Sequence, residues 1–414
     1  MATTATVRQG GALQRRRIIE RSRLLALLDE SKARVKTLVA PAGYGKTTLA
    51  EQWVEREGRH GAWFTARRSS TDVAALALGV ARASTEIVTE CDARLREHLR
   101  AVPAAAENVD VLAEILGEDL DGWPPEAWLV VDEYHEVAAA EDAERFVAAL
   151  VAASPVQFLI CSRQRPSWVT TRKILYGEVL ELNTMALAMD SREASEVLAE
   201  RSTPSAAGLV ALANGWPAVI GLASVSTAEI DDTELMPETL YQFFGEEVFE
   251  ALGDDVQAGL DTLAVAPVLD RELATKLLGP ERAEVVCAAT LDVGLLAERG
   301  SQLELHPLAR SFLEGRREQL GFESVPESVT HCLSHYRERR DWDAAFDLIS
   351  RHGPVSELEP LLLAALDELL DTARLSTIET WCDLAGDAGL DMPVFALGRA
   401  EVALRYGRLA EAQA

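Results

Sequence analysis

Basic residues are scarce in this chain. Forty Lys and Arg stand against 67 Asp and Glu, and 40 − 67 leaves a formal net charge of −27. So acidic a surface repels nucleic acid and anionic membranes unless its few cations are focused into one patch. Cysteine is also sparse. The five residues Cys91, Cys161, Cys287, Cys332 and Cys382 lie far apart with no C-x-x-C pair, which argues against a disulfide frame or a zinc site and for reduced thiols. No uninterrupted apolar run reaches transmembrane length, and Met1 to Arg17 lacks the apolar core of a signal peptide. These absences predict a cytoplasmic protein with no membrane partner and no direct nucleic-acid binding by this chain.

What the chain does have is length: 414 residues exceed one ordinary core and predict two to four domains. Met1 to Gly11 reads as a flexible leader. Arg15-Arg16-Arg17 reads as a solvated arm, with a wall of a nucleotide base pocket as its alternative role. An amphipathic helix is expected through about Glu30.

The chain is organised around the stretch Val35 to Ala50. A short apolar strand ends in Ala40-Pro41-Ala42-Gly43-Tyr44-Gly45, and Lys46-Thr47-Thr48 then opens a helix. This is the pattern of a phosphate cradle. Gly43 and Gly45 allow backbone amides to turn inward at φ values a side chain resists, and the helix adds unpaired N–H groups and the positive end of its dipole. Lys46 can reach the β/γ-phosphates, and the Thr47 hydroxyl is placed to ligate Mg²⁺. Ala40 stands where the pattern has its first Gly, and a slightly altered loop entry is expected there. A dinucleotide-binding turn is excluded, because Thr48 falls where its third Gly belongs.

Further strands are expected at Ala62–Thr65, Trp128–Glu133, Gln157–Cys161 and Glu178–Leu182, with helices at Ala74–Ala83 and Ala93–Arg100. Strands alternating with helices predict a parallel α/β sheet with helices on both faces, and its chemistry belongs at the strands' carboxyl ends. There lie Asp132, a candidate Mg²⁺ ligand with Thr47, and Glu133, a candidate base for the attacking water. Arg163 follows the next strand and could distinguish ATP from ADP through forked hydrogen bonds, with Arg165 and Arg172 as competitors for that task. From Ser191 the pattern is helical. Asp190 is the expected N-cap, Ser226 to Pro237 a linker, and Gly294 to Leu305 a small hairpin. Beyond Val325 helix follows helix. Asp341–Phe346 and Gly407–Ala412 look like openings of repeat helices of the tetratricopeptide kind, and the stop at Ala414 leads us to expect a fragment of a longer solenoid. Asn214-Gly215-Trp216-Pro217 reads on its own as a turn with a buried Trp, and His306-Pro307 as a structural turn.

Taken together, Pro41–Leu49 with Gln52-Trp53, Val130–His135, Ser162-Arg163, Gly215–Pro217 and Leu305–Leu313 resemble the STAND class of signal-transduction NTPases, in its MalT-like, LuxR-type subgroup of large bacterial transcriptional regulators. The resemblance implies a leader at 1–17, a P-loop nucleotide-binding domain at 18–188, a helical lid at 189–236, a winged-helix domain at 237–320 and a TPR-like α-solenoid at 321–414. It implies ATP/ADP and Mg²⁺ as ligands. Gly43, Tyr44, Gly45, Lys46, Thr47 and Thr48 would cradle the phosphates. Pro217 would pack on the adenine, Ile19 would border it, and His306 would contact the β-phosphate in a resting ADP state. Lys46, Asp132, Glu133 and Arg163 would carry slow ATP hydrolysis; Glu133 stands where the subgroup often has a second Asp, which favours hydrolysis. A small-molecule or protein inducer at the C-terminal helices would promote exchange of ADP for ATP and self-association. The alternatives are an origin-recognition-type DNA-loading ATPase, a non-hydrolysing ADP-bound scaffold, and an antiviral sensor of the same architecture. No helix-turn-helix is visible in the sequence.

Overall fold

The computed structural model describes residues 18–56, 59–102, 104–198, 213–225, 249, 252–293, 295–305, 307–320 and 326–412. The leader, the residues 226–237 read as a linker, residues 199–212 of the helical pattern that begins at Ser191, and His306 lie outside these. The chain divides into two compact units. One comprises residues 21–41, 45–187 and 336–414; the other comprises 1–20, 42–44 and 188–335.

The first unit is built on a five-stranded parallel sheet: β1 (Val35–Val39), β2 (His60–Thr65), β3 (Ala127–Asp132), β4 (Gln157–Ser162) and β5 (Val179–Asn183), in the order β2-β3-β4-β1-β5. Every residue of β3 is buried, as a run of apolar residues covered on both faces requires. One face, carrying Leu129, Val131, Phe158 and Ile160, packs into a core with helices at Val73–Ser84 (α1), Val109–Asp119 (α2) and Glu141–Ala153 (α3). On the other face Trp128 meets Trp53 edge-on at 4.7 Å, the latter from the helix Lys46–Val54 that follows the phosphate loop. Lys36, the polar interruption in β1, is buried. Its Nζ lies over the Trp53 and Trp128 rings (5.5 and 5.0 Å) and donates to the Ser31 carbonyl at 2.7 Å.

The helices α2 and α3 were not anticipated from the sequence. Each hides in a different way. Gly117 of α2 lets the backbone come so close to α3 that an added Cβ would sit 3.0 Å from the Ala153 carbonyl oxygen. In α3 the buried face is interrupted by Glu144, whose carboxylate accepts from the Ser167 amide at 3.1 Å and from the Ser167 hydroxyl. That charge disturbs the apolar periodicity by which a helix is read.

The same unit holds the C-terminal helices Trp342–His352 (α4), Leu358–Asp371 (α5), Leu375–Asp387 (α6), Pro393–Arg405 (α7) and Leu409–Ala412 (α8), packed on their neighbours as a helical solenoid. Asp341 caps α4 through the Ala344 amide at 3.2 Å, and Phe346 stacks on Trp381 at 5.0 Å. The solenoid is tied to the sheet layer by Asp72. This carboxylate caps its own helix α1 and also accepts from Ser376 and Thr377 at the start of α6.

In the second unit, Asp190 and Glu193 form a capping box on the helix Ser191–Val197. A three-stranded antiparallel sheet, Leu269–Asp270, Gln302–Leu305 and Leu296–Arg299 in that spatial order, accompanies helices Asp254–Leu263, Arg271–Leu278, Pro280–Asp292 and Pro307–Leu320. The hairpin falls where the sequence placed it. Helices with a small antiparallel wing make a winged helix. Arg310 braces it, donating to the carbonyls of Ala264 (3.0 Å) and Ala266 (3.1 Å).

Candidate functional site

The phosphate loop leaves the carboxyl end of β1, next to β4. Gly43 (φ 79°) and Gly45 (φ 72°) are both in the left-handed region, as the loop demands. Ala40 is not. Its amide continues the sheet ladder by donating to the Ser162 carbonyl at 3.2 Å, and its backbone is one that a residue with a Cβ adopts without strain.

Lys46 starts the helix and is 7% exposed, its Nζ donating to the carbonyls of Ala40 (2.8 Å) and Pro41 (3.0 Å). Burial pushes its ammonium below the usual lysine range, with Glu133 as the main opposing charge. Thr47, the next residue, donates its hydroxyl to Asp132 Oδ1 at 3.2 Å. Asp132 is 1% exposed and also accepts from the Glu133 amide at 2.9 Å.

Glu133 takes a left-handed backbone (φ 52°, ψ 35°), uncommon for a residue with a side chain. The chain turns sharply off the end of β3, and the carboxylate of Glu133 comes within 3.5 Å of Arg163 Nη2 and 3.4 Å of His135 Nδ1. The three arginines after β4 separate clearly. Arg165 forks onto Glu181 at 2.6 and 2.5 Å, and Arg172 lies over the Tyr176 ring at 5.5 Å. Arg163 is the one of the three that faces Glu133.

Five predicted residues therefore meet at the carboxyl ends of β1, β3 and β4: Lys46, Thr47, Asp132, Glu133 and Arg163. Thr48 lies half-buried in the first turn of the same helix. The donor set suits a nucleotide with Mg²⁺. Thr47 and Asp132 offer hard oxygens side by side, and Lys46 sits on carbonyls it can exchange for phosphate. Among the described residues no cluster of three or more His, Cys, Asp or Glu is placed to hold a metal ion.

The remaining candidates belong to the other unit. Trp216 donates its indole N–H to the Ala42 carbonyl at 3.0 Å and stacks on Tyr44 with ring centroids 6.3 Å apart. The Ala218 amide donates to the Gly43 carbonyl, also at 3.0 Å. Pro217 opens the helix Pro217–Val225 and is buried, as is Ile19. Gly215 (φ 67°) cannot be anything larger, since a Cβ there would lie 2.6 Å from the Met189 carbonyl oxygen. Two residues went unassigned in the sequence. Trp216 was read as a buried turn residue because its partner, a backbone carbonyl, leaves no mark in the sequence. His135 stood beside the acidic pair, and that proximity was the available clue.

No family model matches the chain. It is 25% identical over 393 residues to the HTH-type transcriptional regulator MalT of Yersinia pestis, covering 87% of this chain and 42% of the relative. It is also 25% identical over 460 residues to the serine/threonine-protein kinase PknK of Mycobacterium tuberculosis, covering 95% and 39%. The chain thus spans about two fifths of the length of these curated relatives. Its fold is similar to that of a signal transduction ATPase with numerous domains (STAND) carrying a tetratricopeptide repeat sensor, from Pyrococcus horikoshii. The TM-score is 0.69 at 17% identity, over 96% of this chain and 57% of that one. The phosphate cradle, the parallel sheet and the solenoid thus give the chain the fold of a P-loop NTPase with a helical-repeat region, similar in fold to that STAND ATPase and in sequence to MalT.

Proposed function

We propose that this chain is the switch of a bacterial transcriptional regulator, a signal-transduction ATPase that distinguishes ATP from ADP. The observation that carries the reading is the Thr47–Asp132 oxygen pair beside Lys46, with Glu133 and Arg163 paired next to it. A regulator of transcription is the activity named for MalT, and it comes to this chain as part of the proposal.

Lys46, freed from the Ala40 and Pro41 carbonyls, holds the β/γ-phosphates, and Gly43 to Thr48 supply backbone amides. Mg²⁺ held by Thr47 and Asp132 would neutralise phosphate charge. Glu133 orients the attacking water and takes its proton as the water oxygen bonds to the γ-phosphorus and the bond to the β-phosphate oxygen breaks. Arg163 reads the γ-phosphate. Pro217, Ile19 and His306 are proposed to bind adenine and the β-phosphate in the ADP state. The nucleotide domain at 18–188, lid at 189–236, winged helix at 237–320 and solenoid from 321 are proposed as the moving parts. An inducer at the solenoid favours the ATP form and self-association, which requires different affinities in the two states.

The test is turnover. Glu133→Gln keeps the side chain's shape and removes its basicity. ATP binding is expected to persist while hydrolysis falls by about 10² or more. A mutant that hydrolyses ATP at the wild-type rate contradicts the assigned role of Glu133.

A further inference from the structure

The His135 ring lies between two carboxylates and beside two cations. Nδ1 is 3.4 Å from Glu133 Oε2, and Nε2 is 3.6 Å from Glu136 Oε1; the side chain is 15% exposed. Nδ1 is buried, within ion-pair reach of Glu133 but not aligned for a hydrogen bond with it. Burial, then Arg163 and Lys46, hold its pKa down to about 4, with Asp132 opposing. The imidazole is therefore neutral near pH 7 and has one N–H to give. Glu136, on the far side, has its carboxyl pushed up by burial and then by Glu133.

One oxygen of Glu133 is thus shared. Arg163 Nη2 stands 3.5 Å from Oε2 on one side, and His135 Nδ1 stands 3.4 Å from it on the other. An arginine that reads a γ-phosphate cannot keep the same grip on a carboxylate. Once it turns away, Glu133 has Asp132 as its chain neighbour, an anion that repels it, and solvent into which it can swing. The left-handed backbone at Glu133 turns the chain off the end of β3, and residue 135 lies against residue 133 in that turn.

We propose that His135 is a positioning residue for ATP hydrolysis, the donor that holds the Glu133 carboxylate when Arg163 engages the nucleotide. The inference rests on the hydrolytic reading above. It assigns His135 no contact with the reacting atoms; the side chain acts through Glu133.

The experiment measures kcat and ATP affinity for wild type, His135→Ala and His135→Asn, each also in a Glu133→Gln background. His135→Ala is expected to lower kcat about ten- to a hundredfold, the range of one hydrogen bond to a charged group, with ATP affinity held. His135→Asn carries an amide donor near the Nδ1 position and is expected to recover most of that loss. In the Glu133→Gln background neither substitution should lower the residual rate further, because the group being positioned no longer acts as a base. His135→Ala at the wild-type rate overturns the proposal. So do equal losses in Ala and Asn that follow a lowered melting temperature, and so does a loss that persists in full with Gln at 133. If wild type binds ATP without turning it over, the hydrolytic reading falls and this inference falls with it. If Glu133→Gln abolishes turnover while His135→Ala leaves it intact, this inference falls alone.

Discussion

Asp72 and Thr377, 305 positions apart, share one buried carboxylate: Asp72 Oδ2 accepts from the Thr377 amide at 3.2 Å and from its hydroxyl at 2.8 Å. The other oxygen, Oδ1, accepts from Ala74 and Ala75 in the first turn of α1. A single side chain therefore caps two helices, one in the sheet layer and one in the solenoid. Arg374, buried beside it and bonded to Asp343 at 2.6 Å, is partly balanced by the Asp72 charge.

Removing this carboxylate uncaps both helices and strips a buried guanidinium of one neighbouring anion. Two caps at about 1 kcal/mol each, plus the exposed imbalance at Arg374, put the cost of Asp72→Ala at about 2–4 kcal/mol. Asp72→Asn keeps an acceptor oxygen and should lose less. Urea unfolding of the three proteins measures this. A loss below about 0.5 kcal/mol for Asp72→Ala, the range of an ordinary surface change, contradicts the double cap.

Lys36 yields a pH signature. Burial, then Arg59, lower its ammonium to about 8 from 10.5, against Asp29. Below pH 8 folded and unfolded chains both hold the proton; between about 8 and 10.5 only the unfolded chain does. Stability from this group therefore rises with pH across that window. The difference in unfolding free energy between wild type and Lys36→Met should climb in favour of wild type by on the order of 2–3 kcal/mol from pH 8 to 10.5. Buried thiols such as Cys91 and Cys382, each pushed up to about 11, change stability in the opposite sense, and they cancel in that difference. A flat difference across the window contradicts the buried ammonium.

Arg163, Arg165 and Arg172 were indistinguishable as residue types in the sequence; their surroundings differ. Arg163→Ala is expected to weaken ATP binding about ten- to a hundredfold relative to ADP, the worth of one charge-assisted hydrogen bond. Arg165→Ala and Arg172→Ala should leave the ATP-to-ADP ratio unchanged, since Glu181 and Tyr176 engage those guanidinium groups. Titration of each variant with both nucleotides decides it. An equal drop for ATP and ADP in Arg163→Ala removes the arginine from γ-phosphate recognition.

The parts of this protein that were legible in the sequence are those whose cause is local. Strands β1 to β5 announce themselves as short apolar runs, the cradle by Gly43, Gly45 and Lys46 at fixed spacing, and the Asp190 cap by the Glu three residues on. What escaped depends on partners distant in the chain. Glu144 looks like a surface charge until Ser167 is beside it, and Trp216 looks like core until the Ala42 carbonyl meets its indole. The left-handed turn at Glu133 sets His135 against the Glu133 carboxylate, and no residue type there foretells a positive φ. Asp72 is readable as a cap of α1, yet nothing near it in sequence points to Thr377.

Nucleotide binding is expected to depend on Lys46, whose ammonium is buried on two loop carbonyls in the phosphate cradle. Calorimetric titration of wild type and Lys46→Ala with ATP and with ADP, in the presence of Mg²⁺, tests it most directly. Wild type is expected to bind both nucleotides, and Lys46→Ala to lose measurable binding of both while its melting temperature without nucleotide stays close to that of wild type. Undiminished ATP and ADP affinity in a folded Lys46→Ala protein would contradict the assignment of this loop as a nucleotide site.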